Sequence, residues 1–339
     1  MNTVKNDLET VEAATTSTEL FGSATTDSET RRQAKRQFHC LVAAIHPDRA
    51  QASDVARYAA ATTRLNELYR SWVAEAEAVQ SSATYVGDNN EYVLGDVLAR
   101  GSVATLYRAQ DRSGASVVVK IPRSRRANPL METERSALTD IRGAPYVPTL
   151  VDRISAADPA SGEVRRINVL DDLSTGFVTL ADVRRAYPNG LDPRDWAWMH
   201  RRLLRALAAA HQADWVHTAI VEENVLIQPE LHGVVLVGWS FATRSGMRPA
   251  AKISSCRSAY PPELGEAASP GWDVYMAHQL MTTMLGDRIP SRMKTFALGC
   301  MQDNPRLRPD ATDLLGEFDE LLELLYGERT FRAFTVRPI

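Results

Sequence analysis

The chain has 339 residues, of which 44% are apolar and 24% charged, with a net charge of −3. That composition can bury a sizeable core, is longer than most single domains of about 50–250 residues, and carries no basic excess of the sort that marks nucleic-acid or membrane-surface binding. Cys40, Cys256 and Cys300 lie far apart without CxxC spacing, which excludes a disulfide framework or a zinc knuckle and predicts reduced, mostly buried thiols in a cytoplasmic protein.

Residues 1–18 (MNTVKNDLETVEAATTST) are acidic and threonine-rich. They predict a disordered or loosely helical lead and lack the charged-then-apolar order of a signal peptide. No apolar run reaches membrane length. Residues 19–78 read as helical. Phe38, Leu41, Val42 and Ile45 recur at i, i+3, i+4 and i+7, one buried stripe of a helix whose other side carries Arg31, Arg32, Lys35 and Arg36. That helix must stop near His46-Pro47, because proline disfavours helical geometry in the residue before it. Val55, Tyr58, Thr62, Leu65, Tyr69 and Trp72 form a second stripe, which suits an antiparallel helical hairpin. Residues 79–90 (VQSSATYVGDNN) are polar and turn-rich from Gln80 on and predict a linker.

From Glu91 to Lys120 short β-rich runs alternate with Gly, Ser and Asp. After about Asp192 helical patterns dominate, as in RDWAWMHRRLLRALAAAHQ and DLLGEFDELLELLYG. The whole predicts an α+β class: an all-α hairpin, then a domain over 91–326 that is strands first and helices after, in two unequal lobes, with a tail over 327–339. Phe331, Phe334 and Val336 of that tail would dock on the domain or on a partner.

The basic helix, then His46-Pro47-Asp48 in the connecting loop, then the helix ending in RLNELYRSW, resembles a J-domain, the module of DnaJ-type co-chaperones. By that resemblance His46, Pro47 and Asp48 engage a DnaK-type chaperone and stimulate its ATP hydrolysis. Arg31, Arg32, Lys35 and Arg36 would steer towards an acidic chaperone surface, since charge complementarity raises the encounter rate more than affinity. The usual Tyr-x-x-Leu first helix is replaced by a weaker candidate at Thr18–Phe21.

From Glu91 to Leu325 the order of motifs resembles a eukaryotic-like Ser/Thr protein kinase, in which a glycine loop covers ATP phosphates and a strand Lys pairs with a helix Glu ahead of HRD, DFG and APE motifs. In LARGSVATLYRA the three glycine positions fall on Ala99, Gly101 and Ala104, so one glycine remains. VVVK supplies Lys120 and METERSALTDI supplies Glu134, with Glu132 as a substitute off the Leu138 stripe. Their pairing would serve either ATP or the fold alone, because a buried ion pair is weak evidence of purpose. INVLDDL looks like the hinge between lobes. VHTAIVEENVLI matches H-R-D-x-K-x-x-N at His217 and Asn224, but Thr218, Ala219 and Val221 replace the Arg, the catalytic Asp and the Lys. Gly238-Trp239-Ser240 stands where DFG would be, so Gly238 replaces the metal-holding Asp. Glu222 and Glu223 are best read as ordinary loop carboxylates.

The fold-bearing positions remain: Glu263 in SAYPPEL, Asp273 in GWDVYMAHQLMTTML, and Arg308 in NPRLRPDA, the expected partner of Glu263. The resemblance therefore implies a cytoplasmic co-chaperone adaptor with a catalytically dead kinase-like domain. That domain has no catalytic residue and needs no cofactor. At most it holds ATP weakly, without Mg²⁺, through Gly101, Lys120, Glu134 and Asn224. Its partners would be a DnaK-type chaperone and a client protein, not nucleic acid or membrane. Two alternatives stay open: an atypical active kinase with an accessory J-domain, and a scaffold whose HPD is inert.

Overall fold

The computed structural model describes the chain except residues 1, 25–27, 52, 81–82, 158–161, 329 and 337–339. It is a mixed helix-and-sheet protein made of two compact units. The first comprises residues 1–100, 105–121 and 154–167, and the second residues 101–104, 122–153 and 168–339. The helical segment and the first strands thus fall in the same unit.

The first unit opens with α1 (Asn2–Ala13), α2 (Ser17–Phe21), α3 (Ser28–Ala44) and α4 (Val55–Gln80). The lead expected to be disordered or loosely helical is the helix α1, and Leu8, Val11 and Ala14 are buried in one core with Leu20, Phe21, Leu41, Ile45, Leu65 and Trp72. The physical reason is tertiary. Arg57 grips Glu12 with two bonds of 2.6 Å, and Arg64 Nε donates to the Ala14 carbonyl at 2.9 Å. Such contacts, more than propensity, hold short helices. The weak candidate at 18–21 is α2, with Leu20 and Phe21 buried and Trp72 Nε1 donating to Gly22 O at 2.8 Å.

Helices α3 and α4 form the expected hairpin. Thr62 Oγ1 donates to Ile45 O at 3.1 Å, and Phe38 stacks on Tyr69 at 4.2 Å between ring centroids. One position moves up the chain as the other moves down, so the helices are antiparallel. Both stripes face inward except at Val55, which is 44% exposed at the first residue of α4.

Of the segment expected to be a linker, residues 81–82 lie outside the described residues. The helix runs to Gln80 and Thr84–Val86 form β1. β2 (Glu91–Arg100), β3 (Ala104–Asp111) and β4 (Ser116–Pro122) follow, and the sheet order is β1-β2-β3-β4-β6-β5. β1 pairs antiparallel with β2 from Thr84↔Val93 to Val86↔Glu91, and β2 with β3 through Arg100↔Thr105. β5 (Leu150–Ala157) and β6 (Val164–Asp171) lend this unit residues 154–157 and 164–167.

The second unit holds α5 (Asn128–Asp140), the short β7 (Val178–Thr179), α6 (Leu180–Ala186) and α7 (Pro193–Gln212). Next come β8 (Trp215–Val216), β9 (Val225–Gln228), β10 (Gly233–Leu236) and β11 (Thr243–Arg244). α8 (Pro270–Leu285), α9 (Ser291–Cys300) and α10 (Ala311–Tyr326) complete it. α7 starts where Asp192 caps the Arg194 amide ahead of Pro193, the sequence signature of a helix N-terminus. α8 is the most buried helix, with Trp272, Asp273, Val274, Met276, Ala277 and His278 all at 1% exposure or less. It is apolar nearly all round because it lies within the helical core. Two ladders, β10-β9-β7 and β11-β8, bracket the loop at 217–224.

Among the described residues no helix is long and apolar enough to cross a membrane. The thiols are less hidden than expected: Cys300 is buried, Cys256 half-buried and Cys40 exposed. Cys40 falls one position short of the α3 stripe, which explains its outward place.

Candidate functional sites

In the first unit the α3–α4 connection carries His46, Pro47 and Asp48. Ile45 is fully buried and bonded to Leu41 O at 3.0 Å, so the helix is anchored up to the residue before the loop. His46 then turns extended at ψ 135°, and residues 47–49 make one 3-10 turn closed by Arg49 N to His46 O at 2.9 Å. The His46 ring accepts from the Asp48 amide at 3.3 Å and lies 3.4 Å from its carboxylate. The His46 and Asp48 side chains are 49% and 87% exposed. A rigid base thus presents a polar tip to solvent. On α3, Arg32, Lys35 and Arg36 are exposed and Arg31 is half-buried, so the four basic residues stay off the buried stripe.

In the second unit the loop after β8 is held by Asp273 of α8. This fully buried carboxylate accepts from the His217 amide at 2.7 Å, the Thr218 amide at 2.8 Å and His211 Nε2 at 2.9 Å. His217 Nε2–H donates to Val237 O at 3.0 Å, which leaves Nδ1 to accept from the Ala219 amide at 3.3 Å. The imidazole is therefore a neutral tie between the loop and the strand end. Thr218 sits at φ 59°, an uncommon place for a β-branched residue, and costs about 1–3 kcal/mol unless its surroundings fix it. Its Oγ1 donates to Phe241 O at 2.7 Å and its amide is on Asp273, which supplies that fixing.

Ala219 is fully buried and Val221 nearly so. Asn224 Nδ2 donates to Ala219 O at 2.8 Å, and Asn224 O accepts from the Val237 amide at 2.8 Å. Gly238 follows at φ 89°, and a Cβ there would come within 2.6 Å of Asn224 Cγ and Nδ2. The Asn224 carboxamide thus occupies the space beside Gly238. Trp239 is fully buried, donates to Leu236 O at 2.7 Å and meets the His217 ring edge-on at 4.6 Å.

On α5, Glu134 is 1% exposed and takes Asn168 Nδ2 at 2.9 Å and Ser240 Oγ at 3.3 Å. Glu132 instead pairs with Arg135 at 3.0 Å with its own side chain 48% exposed. Between the two candidates, Glu134 is the interior one. Lys120 is buried in β4, a residue of the first unit. Gly101, in the turn between β2 and β3, is exposed, and its amide bonds Ala104 O at 2.9 Å.

Glu222 is held by Arg184 at 2.5 Å and Glu223 is exposed. With Cys256, Ser258 and Leu280 they line a cleft of about 270 Å³. Burial pushes the Cys256 thiol above its usual range, so the cleft does not activate it. Glu263 and Arg308 meet in a two-pronged bridge of 2.6 and 2.9 Å, and Arg308 also donates to Gln302 O and Gly271 O.

Asn168, Ser240, His211 and the Thr218 hydroxyl belong to these networks and were not singled out from the sequence. Asn168 carries a readable signal, a lone amide inside the apolar run INVL. The others carry none. Among the described residues no three His, Cys, Asp or Glu side chains gather as a metal-binding group. In comparison with known proteins, the chain matches no family model and no curated sequence.

Proposed function

We propose that the chain is a cytoplasmic co-chaperone adaptor. In this reading α2–α4 act as a J-domain-type module. His46, Pro47 and Asp48 engage a DnaK-type chaperone and stimulate its ATPase, and Arg31, Arg32, Lys35 and Arg36 steer the encounter. The second unit, with the adjoining strands, is a kinase-like frame that has lost phosphoryl transfer and serves to bind a client protein.

The observation that carries the reading is the exposed His46–Asp48 tip on a buried hairpin base. A loop whose flanks are rigid and whose polar side chains face solvent is suited to contact another protein. The loss of transfer rests on the Ala219–Asn224–Gly238 arrangement. A general base needs a group that accepts a proton, and Ala219 offers a methyl. Mg²⁺ in such sites is held by carboxylate and phosphate oxygens. Here the carboxamide of Asn224 fills the position beside Gly238. The residues do not fit the ion. No cofactor is required; ATP bound without metal would act only as a conformational prop.

Buried Lys120 and Glu134 favour the second reading, an atypical active kinase. One experiment separates the two. Steady-state ATP hydrolysis by a DnaK-type chaperone from the same cell is measured with and without the protein and its Asp48→Asn variant, using γ-labelled ATP. Stimulation that disappears in the variant, with no labelled protein, is the expected result. No stimulation, together with label transfer abolished by Lys120→Met, would replace the co-chaperone with a kinase. Equal stimulation by wild type and variant would leave the HPD inert.

A further inference from the structure

Residues 330–336 cross the second unit as a strap without helix or strand, and the surface beneath them is built like a peptide groove. Its walls come from three places: Tyr187 after α6, Asp192, Asp195 and Trp198 in the first turns of α7, and His232 in the β9–β10 turn. His232 has φ 56°, in the left-handed region, and its ring stacks on Trp198 at 4.2 Å and 6°. Arg202 lies over the other side chain of that stack, 5.6 Å from the Trp198 ring. These contacts are among residues of the body of the unit and do not involve the strap.

The strap is read at four points. His232 Nε2 donates to Arg332 O at 2.7 Å and Tyr187 OH to Thr335 O at 2.6 Å. Phe334, 4% exposed, stacks on Tyr187 at 5.7 Å and meets Trp198 edge-on at 5.8 Å. The Arg332 guanidinium reaches Asp195 at 3.2 Å and Asp192 at 3.6 Å. Two main-chain carbonyls, one buried ring and one cation against a carboxylate pair make up the usual equipment for reading an extended segment. Burial raises the Asp195 carboxyl above its usual range, and the Arg332 charge pulls it back, so the cation matters to the seat.

The strap is also an imperfect occupant. Phe331 stacks on His232 at 4.4 Å yet stays 73% exposed. The Arg332–Asp192 approach is long, and Trp198 Nε1, though buried, has no hydrogen-bond partner among the described residues. A ligand with an acceptor near that indole would gain a bond that the strap does not make.

We propose that this groove is a docking site for an extended Phe-Arg-x-Phe-Thr segment, that residues 331–335 fill it as a tethered ligand, and that a partner polypeptide with the same pattern binds by displacing them. The seat lies wholly in the second unit; its docking role rests on the proposed client-binding role of that unit and not on the chaperone contact of the first. Tethering gives the strap a millimolar-range effective concentration, which screens out weak competitors.

The test uses a fluorescent peptide of residues 327–336 and full-length protein, read by anisotropy. Phe334→Ala in the protein removes the strap's one buried ring and loosens its hold on the seat, and that variant is expected to bind the peptide saturably. Wild type should bind about tenfold more weakly or worse, because its strap competes. A peptide with Arg332→Glu or Phe334→Ala should not bind. Absence of saturable binding to the Phe334→Ala protein would overturn the proposal, as would equal binding to both proteins regardless of peptide sequence. Should Phe334→Ala fail to fold by circular dichroism, Arg332→Glu in the protein serves in its place with the same expected outcomes.

Discussion

Replacing Gly238 by alanine tests whether the loop at 217–224 is closed on itself. Gly238 is at φ 89°, and the new Cβ would lie 2.6 Å from Asn224 Cγ and Nδ2 and 2.8 Å from Oδ1. Two costs follow. A side chain in the left-handed region costs about 1–2 kcal/mol. Asn224 must also swing aside, which breaks its 2.8 Å bond to Ala219 O, a hydrogen bond worth about 0.5–1.5 kcal/mol, and leaves that carbonyl with the Val221 amide at 3.1 Å. The sum is about 1.5–3.5 kcal/mol. Urea unfolding followed by tryptophan fluorescence measures it, with Trp239 directly next to the change. Gly238→Asp carries the same Cβ, so it should lose stability too and should not gain Mg²⁺-dependent nucleotide binding. A Gly238→Ala protein within about 0.5 kcal/mol of wild type would refute the reasoning. So would Gly238→Asp that keeps full stability and acquires metal-dependent nucleotide affinity, because the space beside Asn224 would then be open.

His200 and His278 meet at 3.2 Å between their Nε2 atoms, both fully buried, and burial lowers both, His278 to about 4. Unfolded histidine titrates near about 6.5, so below that pH the unfolded chain binds more protons. Stability is fully present above pH 6.5 and falls towards pH 4, by about 3 kcal/mol from His278 alone; the urea midpoint should show this, and His278→Leu should flatten the slope. Arg308→Leu strands the buried Glu263 carboxylate and should cost about 3–5 kcal/mol, with part recovered in the Glu263→Leu/Arg308→Leu double variant, both read by denaturant unfolding. Leu8→Ala removes a side chain that is 3% exposed and should cost about 2 kcal/mol or more, seen as faster amide exchange along α1 and α4. Unchanged exchange would mean that α1 adds nothing to the hairpin core.

The hairpin was legible because its stripes repeat at three and four over several turns, and because Pro47 forces a break. α1 was not, since Leu8, Val11 and Ala14 are its main buried contacts in a polar stretch and its anchors, Arg57 and Arg64, sit 45 and 50 residues away. The strap was half legible. Phe331 and Phe334 announce an apolar contact, but Tyr187 and His232, the groups that accept it, are 148 and 100 residues from their bond partners. Local pattern carries no information about pairs at that distance.

The same limit bears on the loop at 217–224, where the sequence shows what is missing but not what closes the gap. Of the positions that match the kinase pattern, Asp273, Arg308, His217 and Asn224 use their side chains to satisfy buried polar atoms, as do Thr218 and Ser240, which depart from it. Removing Asp273 would strand two amides and an imidazole N–H, and removing Arg308 would strand a carboxylate and the Gln302 carbonyl. Each such group costs about 1–3 kcal/mol when left unpaired. Ala219, Val221 and Gly238, which also depart from it, are closed by burial, by the Asn224 carboxamide and by a left-handed turn. A carboxylate placed at the fully buried Ala219 would face desolvation. Stability therefore favours keeping Asp273 and Arg308 and opposes a side chain at Gly238. A chain that had ceased to transfer phosphate would be kept from regaining the chemistry one residue at a time, while its frame remained available for binding.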